Sequence, residues 1–270
     1  MGDIRKNKAV SIFFSIWGWL TIILLFILTF PFQFLTWLVT YYFDPQRYCS
    51  GVFFRGVIVL WCKYLNPMWS FNVYEKERVK KIKLSSKTIF VCNHSSISDP
   101  ILVSMLPFEM KFLTKSSVFN VPIFGWMQRF SGDIGIVRTE RDSIKNAMTK
   151  CKSWIDKGVP VIFFPEGTRS HNDVLLPFKD GAFRLAIETG ADVLPLALAG
   201  SAPAIRRGSL LMGFSVGNIT AGTPISTKNY KFPDDIEKLK EETRKQMESL
   251  LEKIRPLSTT IPPILNKKKE

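Results

Sequence analysis

The sequence predicts an α/β fold: a single domain with a mixed, largely parallel sheet flanked by helices, preceded by an N-terminal membrane-associated helical segment. Three observations carry that reading. Beyond Pro67, short apolar runs of strand length alternate with stretches of helical periodicity. Two polar motifs, "NHSSISD" and "PEGTRS", each follow directly on a buried-type apolar run. Finally, no charged residue interrupts the chain from Ala9 to Phe43.

That first stretch, "AVSIFFSIWGWLTIILLFILTFPFQFLTWLVTYYF", would make a straight helix roughly 50 Å long, against a bilayer core of about 30 Å. Pro31 offers a break. Two geometries fit: a spanning helix with an interfacial extension, or a hairpin dipping into one leaflet. Trp37 and the "YYF" at 41–43 suit an interfacial end. Cations flank both sides, Arg5, Lys6 and Lys8 before it and Arg47, Arg55 and Lys63 after it, so charge does not choose the topology. The next segment, "GVFFRGVIVLWCKYL", reads as a second helix lying on the membrane or capping the domain behind it.

The alternating units follow in order. "WSFNVYE" and "KTIFVC" are strands, "DPILVSML" opens a helix, and "KFLTK" is a strand. "PIFGWMQRF" is a short helix starting at Pro122, and "GDIGIVR" is extended. Ile144, Met148, Cys151, Trp154 and Ile155 share one face of a helix that Gly158 ends. "VPVIFF" is a strand, "GAFRLAIETG" a helix closed by Gly190, and "DVLPLAL" another strand. Ile236, Leu239, Thr243, Met247, Leu250 and Ile254 keep helical spacing along a last helix with a charged outer side. The divisions are membrane-associated helices at 1–66, the α/β domain at 67–256 and a basic tail at 257–270.

The formal net charge of +14 in a 46% apolar chain points to an anionic membrane surface, phosphate-bearing substrates or an acidic carrier protein. Nucleic-acid binding has only the charge in its favour and no recognition module. The lysines at 80, 81, 83 and 87 read as a solvated or membrane-facing surface. Cys49, Cys62, Cys92 and Cys151 form no C-x-x-C pair, so neither a zinc site nor a disulfide framework is indicated and reduced thiols are expected.

In open sheets of this class chemistry collects at the carboxyl ends of strands, where both polar motifs fall. A neutral imidazole at His94 suits proton removal from an alcohol, and works best when a carboxylate fixes its tautomer. Asp99, in the first turn of the following helix, can reach back to the ring; equally, it can simply cap that helix. In "FFPEGTRS" a glycine allows a tight turn and Arg169 suits a phosphate. Glu166 there either accepts a hydrogen bond from a substrate hydroxyl or pairs with Arg169, and His171 reads as a surface residue. Lys115 and Arg138 end two strands and can face one crevice. A competing motif, "GFSVG" around Ser215, matches a hydrolase elbow, but "NITAGTPIS" after it lacks the required helix.

"NHSSISD", the stretch ending at Arg138, "FPEGTRS" and the "VLPLAL" strand occur in this order at suitable spacing. Together they resemble the 1-acyl-sn-glycerol-3-phosphate acyltransferase family of glycerolipid acyltransferases, over roughly Tyr74 to Thr223. The resemblance implies acyl transfer from a thioester to the free hydroxyl of lysophosphatidic acid, giving phosphatidic acid, with glycerol 3-phosphate or another lysolipid as the alternative acceptor. It implies His94 as general base oriented by Asp99, with Lys115 assisting at the oxyanion. Asn93, Arg138, Glu166, Gly167, Thr168 and Arg169 are implied as substrate-binding residues. No metal or cofactor is expected; acyl-CoA or acyl carrier protein would be the donor substrate. The expected setting is a membrane bilayer, with the domain on its cytoplasmic face at a bacterial inner membrane or the endoplasmic reticulum. The terminal "KKKE" fits a dilysine retrieval signal.

Overall fold

The computed structural model describes residues 8–170, 174–205 and 208–258. His171, the residues preceding Lys8 and the "KKKE" terminus lie outside the described residues. Seven strands form one sheet in the order β1-β7-β6-β2-β5-β3-β4. They are β1 (Trp69–Val73), β2 (Thr88–Cys92), β3 (Lys111–Lys115), β4 (Ile134–Ile136), β5 (Val161–Phe163), β6 (Asp192–Ala199) and β7 (Ser215–Ala221). Among the pairs of these described strands only β6–β7 is antiparallel. The mixed, largely parallel sheet anticipated from the sequence is therefore present.

Both faces of the sheet are covered, which is why its central strands read as continuous apolar runs. Every residue of β2 is buried. Ile89 and Val91 face one layer, while Phe90 and Cys92 face the other, as the two-residue period of a strand requires. The first layer is built from α6 (Arg141–Asp156), α7 (Gly181–Thr189) and α8 (Ile236–Ile254). The second contains α4 (Asp99–Val103) and the N-terminal helices, with Trp61 and Ile22 packed among its buried residues. A short α3 (Lys76–Lys80) lies between β1 and β2.

The N-terminal segment departs from expectation in one respect. Pro31 does not break it: α1 runs from Lys8 to Thr40 as a single helix with the proline inside. An interior proline costs about 3 kcal/mol through its missing N–H and its clash with the preceding turn. Packing on either side of it offsets that cost. Phe26 meets Phe124 at 5.2 Å, and Trp37 stacks on Phe130 at 4.9 Å, both rings belonging to α5 (Phe124–Ser131). The buried Gln33 amide also donates to Met127 O at 3.0 Å and lies 3.1 Å from the Ser131 hydroxyl. The helix expected from Pro122 instead begins at Phe124, because Ile123 takes a positive φ of 63°.

The second helix, α2 (Tyr48–Leu60), continues through a π-helical turn at Trp61–Leu65 and caps the domain. Its seat is polar as well as apolar. Arg55 pairs with Asp133 at 3.1 Å and Glu109 at 3.4 Å, and also donates to Met110 O. Lys111 bonds Glu109 at 3.0 Å and Arg47 O at 3.1 Å. Gly51 carries no Cβ to collide with the Glu109 carboxylate. Burial raises the Glu109 carboxyl above its ordinary value and lowers the Lys111 ammonium below its own.

Lys8–Thr40 and Tyr48–Leu65 are each long and apolar enough to cross a membrane. Only 17% of the most apolar window of the first is buried within the protein, against 39% for the second. The outward face of α1, including Phe13, Leu20, Phe32 and Val39, is exposed.

Arg55→Ala would leave Glu109 and Asp133 without their shared cation in a dry site. The expected loss is about 3–5 kcal/mol of stability. Thermal unfolding in detergent checks it: a midpoint like that of the unaltered protein would show that the network does not hold α2 in place.

Candidate active site

Four adjacent parallel strands, β2, β5, β3 and β4, end at the same edge of the sheet. The loops after them carry His94, the 164–170 segment, Lys115 and Arg138 respectively. Strand β6, parallel to β2 on its other side, delivers Ser201 to that edge. Residues far apart in the chain meet there because parallel strands share a carboxyl end.

Asp99 and His94 are brought together. The His94 Nδ1 to Asp99 Oδ2 distance is 2.6 Å. The same oxygen accepts the backbone N–H groups of Ser95 at 2.7 Å and Ser96 at 2.8 Å. The other oxygen accepts the Ser201 hydroxyl at 2.5 Å. Asp99 is fully buried, so these bonds replace its water. The capping alternative is thus absorbed: the carboxylate ties its own turn and orients the imidazole at once.

The tautomer follows from this arrangement. Backbone N–H groups can only donate, so Oδ2 is an acceptor and the shared proton resides on Nδ1 of His94. Nε2 then carries the lone pair. The ring stacks on Phe164, centroids 4.4 Å apart and planes at 27°, which fixes its plane. The side chain is 14% exposed, enough for an edge to reach solvent.

The loop after β5 is latched to the His94 loop. Ser170 N–H donates to His94 O at 2.7 Å, and His94 N–H donates to Glu166 Oε1 at 3.1 Å. Glu166 Oε2 accepts Leu176 N–H at 3.2 Å. Burial raises this carboxyl above its ordinary value, and the two backbone donors partly counter that. Glu166 is therefore a buried clamp between loops. Both oxygens expected to meet a substrate hydroxyl or Arg169 accept backbone N–H groups here, and among the described residues Glu166 pairs with no arginine.

Asn93 is likewise turned to backbone. Its amide donates to Leu198 O and accepts Leu198 N–H, both at 2.9 Å, extending the β2–β6 ladder beyond the last strand residue. It is buried and its amide faces backbone, so it holds the His94 loop to β6.

The remaining residues are arranged as an open edge. Arg138 is exposed and donates to Gly167 O at 2.6 Å. Gly167 has φ 68°, a left-handed conformation that favours glycine. Thr168 is exposed, Arg169 half-buried, and Lys115 exposed at the end of β3. Ser215 is fully buried within β7 and donates its hydroxyl to Gly200 O at 2.5 Å, so the elbow geometry of a hydrolase is absent there. Sequence reasoning missed Ser201. Its only signal was a position two residues beyond the "VLPLALA" strand.

Residues 70–199 match the family model described as Acyltransferase. That match takes in a little under half of the chain and includes the His94, Lys115, Arg138 and 164–170 segments. It is 32% identical over 168 residues to a chloroplastic 1-acyl-sn-glycerol-3-phosphate acyltransferase of Arabidopsis thaliana, covering 62% of this chain and 46% of the relative. It is 31% identical over 143 residues to the 1-acyl-sn-glycerol-3-phosphate acyltransferase of Haemophilus influenzae, covering 52% and 59%. The chain spans about half the length of the curated relatives it matches. Its fold is that of the crystal structure of the 1-acyl-sn-glycerophosphate acyltransferase of Thermotoga maritima, with TM-score 0.71 at 21% identity over 90% of this chain and 97% of that one.

The tautomer is directly testable. In 15N NMR of the detergent-solubilised protein, His94 is expected as the Nδ1-protonated form, its signal assigned by loss in His94→Gln. Asp99→Asn should shift it towards the Nε2-protonated form. An Nε2-protonated ring in the unaltered protein would contradict the assignment.

Proposed function

We propose that the protein transfers a fatty acyl group from an acyl thioester to the free sn-2 hydroxyl of 1-acylglycerol 3-phosphate, forming phosphatidic acid. The observation that carries this reading is the orientation of His94: Nδ1 is engaged by a buried carboxylate, and Nε2 is left to take a proton at an edge rich in cations. The names of the relatives supply the acceptor class.

In this reading Nε2 removes the hydroxyl proton as the oxygen attacks the thioester carbonyl. Asp99 stabilises the imidazolium that forms. Lys115 faces the oxyanion of the tetrahedral intermediate. Collapse breaks the carbon–sulfur bond, and the departing thiolate takes the proton back from the ring. Arg138 and Arg169 hold the phosphate, with Gly167 and Thr168 lining it. No acyl-enzyme, metal or cofactor enters the sequence of steps. The donor is acyl-CoA or acyl carrier protein, both anionic and suited to a basic surface. The apolar outer face of α1 would lie in the bilayer on the cytoplasmic side, keeping the site at the depth of the acyl chains.

The test is acyl transfer in detergent micelles, with lysophosphatidic acid and labelled acyl-CoA or acyl carrier protein, scoring phosphatidic acid and free fatty acid. His94→Ala is expected to lower phosphatidic acid formation by roughly a hundred- to ten-thousand-fold. Activity unchanged in that variant would overturn the role of His94. Free fatty acid formed without regard to acceptor would overturn the transferase reading.

A further inference from the structure

The loop that carries Gly167 has a cation not visible in the motif that defines it. A Cβ built on Gly167 would stand 2.8 Å from both Cε and Nζ of Lys179, and 3.2 Å from its Cδ. The Lys179 side chain therefore lies across the bare face of that glycine. Its backbone N–H donates to Pro165 O at 2.9 Å, tying both ends of the loop together. From the other side Arg138 donates to Gly167 O at 2.6 Å. Two cations thus converge on one residue, with Arg169 two positions further along the same loop.

Two neighbouring carboxylates are engaged elsewhere. Glu166 turns both oxygens to the backbone N–H groups of His94 and Leu176. Asp180 pairs with Lys240 at 2.9 Å. Among the described residues no carboxylate neutralises Lys179, Arg138 or Arg169. Lys179 is also exposed, so its ammonium is open to a ligand. A positively charged, glycine-floored loop of this kind suits a group carrying more than one negative charge.

We infer that Lys179 is a third phosphate-binding cation, and that it sets selectivity for a phosphate monoester over a diester. The inference rests on the acceptor reading proposed above and deepens it. A phosphate monoester carries between one and two negative charges near neutral pH, its second ionisation lying near about pH 6. A diester headgroup carries only one on its phosphate. A lysine ammonium is a compact point charge that rewards the second charge, while the planar arginines give direction.

The experiment compares the unaltered protein with Lys179→Met and Lys179→Arg, using lysophosphatidic acid as acceptor and glycerol 3-phosphate or glycerophosphocholine as competing monoester and diester. Losing one charge-assisted contact is expected to raise KM for lysophosphatidic acid about tenfold in Lys179→Met, with kcat falling about twofold at most. The inhibition constant of glycerol 3-phosphate should rise in parallel, and that of glycerophosphocholine should stay. Lys179→Arg should recover most of the loss. An unchanged KM, or equal weakening towards both competitors, overturns the inference. A measurement on the unaltered protein stands apart from folding and from turnover: glycerol 3-phosphate should shield Lys179 from reductive methylation, read by mass spectrometry. If lysophosphatidic acid is not acylated at all, the acceptor reading fails. In that event shielding still supports Lys179 as a phosphate ligand, and its absence overturns that assignment separately.

Discussion

The buried carboxylate of Asp99 is the constraint on which the site depends. It takes four donors from two parts of the chain: the His94 ring and the next two backbone N–H groups of its own turn, and Ser201 beyond β6. A dry carboxylate is costly unless fully bonded, so each donor is held by the demand of the acceptor. Fixing Asp99 fixes the tautomer of His94, the turn between them, and the loop after β6. Orientation of the imidazole and satisfaction of the buried carboxylate are one arrangement here.

A second layer of polar contacts sets the distance between that arrangement and the 164–170 loop. Glu166 and Asn93 look like ligands in a motif, yet both are turned to backbone. Their work is to hold two loops and two strands in register, so that the exposed edge of the loop is left to cations. Gly167 completes this division. Its positive φ turns the chain, and its missing Cβ leaves room for Lys179.

The N-terminal helices are attached by a different device. Arg55, Lys111, Glu109 and Asp133 form a buried network in which neither Glu109 nor Lys111 keeps its ordinary proton affinity. Apolar packing alone is permissive about rotation along a helix, whereas ion pairs of this kind accept one orientation. With Gln33 bonded to α5, the network gives α1 and α2 a defined setting against the domain while the far face of α1 stays apolar.

Local pattern by itself determined most of the secondary structure, because strand and helix periods are written in neighbouring residues. The short apolar run TIFVC, the face shared by Cys151 and Ile155, and the Gly158 and Gly190 stops needed no distant information. Spacing put Asp99 within reach of His94 but left helix capping open as well, and the pairing was implied only by the ordered set of motifs. Three things were decided only by tertiary structure. Pro31 stays inside α1 because rings from α5 offset its cost, and those rings lie about a hundred positions away in the chain. Asn93 and Glu166 became clamps because the sheet order put Leu198 and the His94 backbone within their reach. Ser201 and Lys179 joined the site through the shared edge of parallel strands and the fold of one loop. A motif records which chemical groups a chain possesses; which of them remain free to meet a ligand depends on what the rest of the fold has already bonded.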